Sequence, residues 1–149
     1  MLTFLLIIAV IAIAIAPLIH FLPSKRQREV AGLREYAAVH GLFVEFRHAP
    51  TGGEVSGPIR DVIYYGKRLP SSRASAVESA AWTRDGEGWR SVGRRLPAPA
   101  PLEELSVEII AASVDQFSCG VYWRETEGEA AVEQIRQILE RWCALLTQR

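Results

Sequence analysis

Few side chains in this 149-residue chain could do covalent chemistry: two cysteines, Cys119 and Cys143, and three histidines, His20, His40 and His48. A thiol becomes a nucleophile when a neighbouring base favours the thiolate. Cys119, beside Gly120 at the entry to a strand pattern, is therefore the position to weigh, with His40 or His48 as its base. The plainer reading makes both thiols small buried hydrophobes, and Cys143 beside Trp142 in a helical pattern suits that reading best. No Cys-x-x-Cys and no histidine cluster at ligand spacing occurs, so the sequence calls for no metal and no cofactor.

The run Thr-Gly-Gly-Glu-Val-Ser-Gly at 51–57 has the glycines of a phosphate cradle but not the lysine or the spacing, and it leads into a strand pattern rather than a helix. It reads as a turn. Glu103 and Glu104 are adjacent carboxylates in a proline-rich stretch, where solvation explains them better than acid and base work. No substrate for a small-molecule reaction emerges. Trp82, Trp89 and Trp123 offer an aromatic binding face as an alternative. Strand alternation puts Val121 and Trp123 on one side of GVYWRE (120–125) and Tyr122 and Arg124 on the other. With Trp123 under a helix, Tyr122 and Arg124 become the exposed pair and the candidate partner surface.

The elements that must position these residues begin with a run unlike the rest. Charge totals 17 basic against 17 acidic groups, yet none precedes Lys25. Leu2 to Leu22 is apolar on every face and would reach ~31 Å as a helix, the thickness of a hydrocarbon layer. A cleavable signal peptide is the rival, given Ala12-Ile13-Ala14 and Ala14-Ile15-Ala16. Against it stand the missing basic leader, Pro17 just after Ala16, and the first cations after the run. Residues 1–23 are thus expected to form a transmembrane anchor and 24–149 a separate domain. Lys25, Arg26 and Arg28 place that domain on the cytoplasmic side, with the N-terminus outside, and are the expected membrane-surface contacts. A reducing compartment argues against a structural disulfide. Pro17 reads as a tolerated proline near a span end, and His20 has no second ionisable group in the span for a proton relay.

Beyond the anchor, Ser24 and Gln27 fit a capping box, Val30, Leu33 and Ala37 a helical stripe, and Gly41 its terminator. Strand patterns follow at 42–47, 58–69, 105–115 and 120–125. Residues 74–84 and 89–96 read as a hairpin, although the alanines of 74–84 also allow a short helix. Pro97, Pro99 and Pro101 suggest an extended linker. Thr126 and Glu129 suggest a second capping box, opening a helix with Ala131, Ile135, Ile138, Leu139, Trp142, Leu145 and Leu146 on its apolar face. The expected fold is α+β: an antiparallel sheet of about five or six strands flanked by an N-terminal and a C-terminal helix, pleckstrin-homology-like in its closing helix.

Charge separates along the chain. Residues 1–47 carry 5 basic and 3 acidic groups, 48–101 carry 8 and 5, and 102–149 carry 4 and 9. The near cancellation disfavours nucleic acid as a partner.

One apolar span, then Pro-Ser-Lys-Arg-Gln-Arg-Glu (23–29), then a small β-rich domain with a Gly-Gly loop resembles the YajC family, single-span accessory subunits of the bacterial preprotein translocase. GVYWRE before a long final helix departs from that family and is similar to uncharacterised bacterial single-span proteins, some of which carry the same label. The resemblance implies an inner-membrane accessory module with the bilayer and a membrane protein complex as its partners. A membrane-tethered enzyme using Cys119 and a domain that binds anionic lipid are the alternatives.

Overall fold

The computed structural model describes residues 1–19, 21–50, 62–70, 77–86, 88–105 and 107–148. The chain forms two compact units, Met1–Ala31 and Gly32–Arg149.

The first unit holds helix α1 (Leu2–Ile19) and the start of helix α2 (Lys25–Val39). Apolar side chains are exposed all along α1, from Leu2 at 82% to Leu18 at 61%. The helix ends three residues before the expected boundary at Leu22. Pro17 brings no N–H to the last turn, and the N–H of Phe21 closes on the Leu18 carbonyl at 3.2 Å in a tighter turn before Pro23. Among the described residues no helix is long and apolar enough to cross a membrane. At ~1.5 Å per residue α1 reaches about 27 Å, short of a ~30 Å hydrocarbon layer. His20 lies outside the described residues. The capping box at the start of α2 is present: the Ser24 N–H donates to Gln27 Oε1 at 2.8 Å and the Gln27 N–H to Ser24 Oγ at 3.2 Å.

In the second unit, α2 stops as its sequence requires. Gly41 takes φ +80°, which a Cβ would oppose. The N–H groups of Gly41 and Leu42 then bond the carbonyls of Ala38 and Ala37 at 3.2 and 3.0 Å, a Schellman ending with Ala37 and Leu42 both buried.

Among the described residues six strands follow: β1 (Phe43–Glu45), β2 (Ile63–Arg68), β3 (Ala80–Asp85), β4 (Gly88–Val92), β5 (Ile109–Val114) and β6 (Ser118–Trp123). They form one antiparallel sheet in the order β1-β2-β6-β5-β3-β4. The pairs β1–β2 and β3–β4 are each neighbours in sequence, and the last pair, β5–β6, is wedged between them. The centre of the sheet is therefore completed by the strands made last.

Period-two alternation sorts the sheet's side chains to two faces. Tyr65, Trp82, Ala112, Val121 and Trp123 share one core with Leu33 and Ala37 of α2, Leu102 of a one-turn helix α3 (Ala100–Glu103), and Ile135, Leu139 and Trp142 of helix α4 (Glu129–Thr147). Each large apolar side chain buried in this way contributes ~1.5–3 kcal/mol. On the other face Tyr64, Ala111 and Tyr122 make a smaller cluster. The expected α+β architecture, with helices from both ends of the domain flanking an antiparallel sheet, is the observed one.

Local differences have local causes. The proline stretch does not stay extended: Pro101 sits in the first turn of α3, where its missing N–H costs nothing, and Leu102 is fully buried. The second capping box does not form. Gly128 is the N-cap of α4 without a side-chain bond, and Glu127 Oε1 instead accepts the Glu108 N–H at 3.4 Å. Leu145, expected on the apolar face, is 48% exposed, because the buried stripe of α4 runs through Val132, Ile138 and Cys143 and turns away from it in the last turns. The alanine-rich run becomes a strand from Ala80, not a helix, since it pairs with both β4 and β5. The turn at 51–57 lies outside the described residues.

Candidate functional site

Cys119 is not placed as a nucleophile. It is fully buried on β6 against α4, its Sγ 4.0 Å from the Leu139 carbonyl. A hydrogen bond with the neighbouring Cys143 thiol and burial both push its pKa up, so the thiol stays protonated. The expected bases are at the surface, whereas the thiol is buried. His40 is exposed, with Nδ1 2.7 Å from the Tyr36 carbonyl and its ring stacked on Tyr36 at 4.0 Å. His48 is exposed. Both cysteines are free, and among the described residues no group of three or more His, Cys, Asp or Glu could hold a metal ion. Glu103 and Glu104 are exposed, and Glu104 bonds Arg141 at 2.7 Å.

The candidate partner pair separates. Arg124 is exposed as expected, but Tyr122 is only 4% exposed, which corrects the reading of that face as open. The physical reason lies in two glycines. Gly66 and Gly120 are direct cross-strand partners, and the Tyr64 ring lies across them. A Cβ on Gly120 would stand 2.3 Å from Tyr64 Cζ, and one on Gly66 2.5 Å from Tyr64 Cε1. Tyr64 then reaches Tyr122 at 4.9 Å and Phe43 at 5.8 Å between ring centres, and the Arg47 guanidinium sits 4.3 Å above the Tyr64 ring. Arg47 is held by Glu45 at 2.7 Å and Asp115 at 3.2 Å. Tyr122 is thus roofed by its own sheet rather than offered to a partner. Trp82 and Trp123 are buried too, leaving Trp89 as the partly exposed member of the anticipated aromatic face.

Lys25, Arg26 and Arg28 all lie exposed at the start of α2, with Lys25 only 3.9 Å from Glu29 in an i,i+4 pair. Together they make the first turns of α2 an exposed cationic stretch.

A buried polar cluster escaped the sequence reading. Glu125, just past β6, is 5% exposed and takes φ +54°, a left-handed conformation uncommon outside glycine. Arg34 of α2 clasps it in a two-pronged pair, Nε to Oε1 at 2.9 Å and Nη2 to Oε2 at 2.8 Å, and the Tyr65 hydroxyl donates to Oε1 at 2.8 Å. Burial, and then the bond to Glu125, raises the Tyr65 pKa. The Glu125 bond likewise raises that of Arg34. With both carboxylate oxygens engaged, the cluster acts as a clamp between α2 and the end of β6. The signal for it was in the sequence. Continuing the alternation of Val121 and Trp123 by two residues puts Glu125 on the core side, where an acid requires a partner.

Compared with protein-family models, with curated proteins and with solved structures, the chain finds no match.

Proposed function

We propose that this chain is a membrane-tethered interaction module: α1 lodges in the bacterial inner membrane, and the α+β domain docks on a membrane protein complex at the cytoplasmic face. The observation that carries the reading is α1 itself, a helix of 18 residues without a charge whose apolar side chains are exposed on all sides. Water is a poor solvent for such a surface, and lipid or a partner helix is a good one. Its slightly short reach is within what a bilayer accommodates by local thinning, and Phe21 and Leu22 extend the apolar stretch. Lys25, Arg26 and Arg28 supply headgroup contacts at about 1 kcal/mol each and set the N-terminus outside. The Arg34–Glu125–Tyr65 clamp supports the reading, because it fixes the C-terminal half of α2 to the sheet. The resemblance to YajC adds the preprotein translocase as the complex to try first.

Fractionation of cells expressing the full chain tests this. The protein should stay with membranes through alkaline carbonate, and Ile8→Lys with Ile11→Lys should release it, each charge costing ~2.5–3.5 kcal/mol at a helix centre. Protease added to intact spheroplasts should leave the domain whole. Recovery in the soluble fraction, or digestion from outside, overturns the tether or its direction respectively.

A further inference from the structure

The two rims of the sheet differ, and the β4 rim carries features that the clamp and the anchor do not use. β4 pairs with β3 on one side only, so its outer main-chain groups are open to a further strand among the described residues. Beside it lies an open cavity of about 610 Å³, lined by Trp89, Arg90, Arg95, Leu96 and Pro97 among others. The Trp89 indole N–H is buried and has no acceptor among the described residues. Trp123 has the same deficit within the core, whereas the Trp89 side chain also lines the cavity. Arg84, the cross-strand partner of Trp89, stacks on its ring at 5.2 Å. Arg90 faces the other side of the strand and pairs with Asp85 at the surface, and Arg94 pairs with Glu78. Arg84 and Arg95 have no carboxylate partner among the described residues. The rim is therefore a main-chain edge bordered by cations on both faces of the sheet, with one unfilled N–H donor.

We propose that the β4 rim binds an extended acidic segment of a partner protein as a seventh strand, its carboxylates meeting Arg84, Arg90 and Arg95 and one of its acceptors meeting the Trp89 indole N–H. Strand addition supplies main-chain hydrogen bonds without sequence preference, and alternate side chains supply the choice of partner. Charge complementarity selects an acidic occupant over a neutral one. This deepens the interaction-module reading and rests on it for its biological setting, while its chemistry is independent of α1.

The full chain in neutral detergent micelles, titrated against a short fluorescein-labelled peptide of alternating glutamate and valine, tests the proposal by fluorescence anisotropy. A lysine and valine peptide of the same length is the control. The expected result is saturable binding of the acidic peptide only, weakened at least about tenfold by Arg84→Glu with Arg95→Glu and weakened measurably by Trp89→Phe, which keeps the ring and removes the donor. Circular dichroism of each variant guards against misfolding, and Arg95→Glu alone, at an exposed position, provides a second variant whose fold is secure. Binding that ignores these substitutions overturns the proposal, as does equal binding of the lysine peptide. Two further outcomes also overturn it: pairing of the chain with itself through β4, seen as a dimer by sedimentation that Arg95→Glu abolishes without any peptide bound, and binding of phosphatidylglycerol vesicles with no binding of the peptide. Failure here with carbonate-resistant membrane association intact removes the rim alone, whereas peptide binding by a chain found soluble in cells removes the tether alone.

Discussion

The sheet is finished differently on its two sides. Around β2 and β6 every position of β6 is buried, two glycines face each other so that a tyrosine ring can lie flat, and a carboxylate taken out of water is held by three donor groups. Around β4 the strand is only partly covered, its arginines form surface pairs or none, and an indole donor lacks an acceptor among the described residues. The first side pairs its charged groups internally and, apart from the Trp123 indole N–H in the core, leaves little for a ligand to add. The second leaves main-chain edge, charge and a donor unfilled. The contrast separates residues that specify the fold from residues available for recognition.

The contrast breaks most directly at Glu125. Glu125→Ala should destabilise the domain by about 3 kcal/mol, because it strands the Tyr65 hydroxyl in the interior and leaves a partly buried guanidinium without this carboxylate. Glu125→Gln keeps an acceptor for Tyr65 and should cost distinctly less. Urea unfolding followed by tryptophan fluorescence measures both, and equal losses for the two substitutions would show that charge, not the acceptor, governs the clamp. Gly120→Ala should cost about 1–3 kcal/mol, since the new methyl group meets the Tyr64 ring and that ring is boxed in by Phe43 and Tyr122. Adding Tyr64→Leu should recover part of that loss. Strict additivity of the two substitutions would mean that the ring is not the obstacle.

How much of this was legible follows from which forces are local. The Ser24–Gln27 box and the Gly41 stop depend on residues a few positions apart and appear where the sequence places them; the β3–β4 hairpin appears with shorter strands than read, and the amphipathic stripe of α4 appears without Leu145. The insertion of β5–β6 between the other pairs depends on contacts across the whole domain, and no spacing encodes it. Tyr122 illustrates the limit. Its face of the strand was readable from alternation, but its burial depends on Gly66, on a strand far away in sequence, leaving room for Tyr64. Arg34, Tyr65 and Glu125 are likewise far apart in sequence. Only Glu125 announced itself, as an acid on the core side of an otherwise apolar strand.

At the β5–β6 turn, between the two sides, effects should be smaller. Asp115 Oδ1 accepts the N–H groups of Phe117 and Ser118, both at 2.8 Å, and Asp115→Ala should cost about 1 kcal/mol. Burial would raise the pKa of this carboxyl, but those two backbone bonds, the Ser118 hydroxyl and Arg47 outweigh it and lower the pKa below 3.8. The unfolded chain therefore takes up this proton before the folded one. The contribution is fully present above the unfolded value and is lost as pH falls through the folded one. Asp115→Asn, which cannot titrate, should show a shallower loss of stability as pH falls through and below the ordinary aspartate range. Identical pH profiles for the two proteins would assign the acid sensitivity to other carboxylates.

The smallest effect is expected on the β4 side, and its smallness is the informative result. Arg95 is exposed, and no ion pair holds it among the described residues, so Arg95→Ala should change the unfolding free energy by less than about 0.5 kcal/mol. Arg90 and Asp85 form an ion pair whose side chains are both 56% exposed, a setting in which such pairs are worth ~0–1 kcal/mol, so Arg90→Ala should change little more. If the β4 rim is kept for recognition, these substitutions must leave folding untouched while altering what the rim binds. A loss of roughly 2 kcal/mol or more, the scale of a broken buried network, would place these arginines with the clamp as fold-specifying residues and erase the distinction between the two sides.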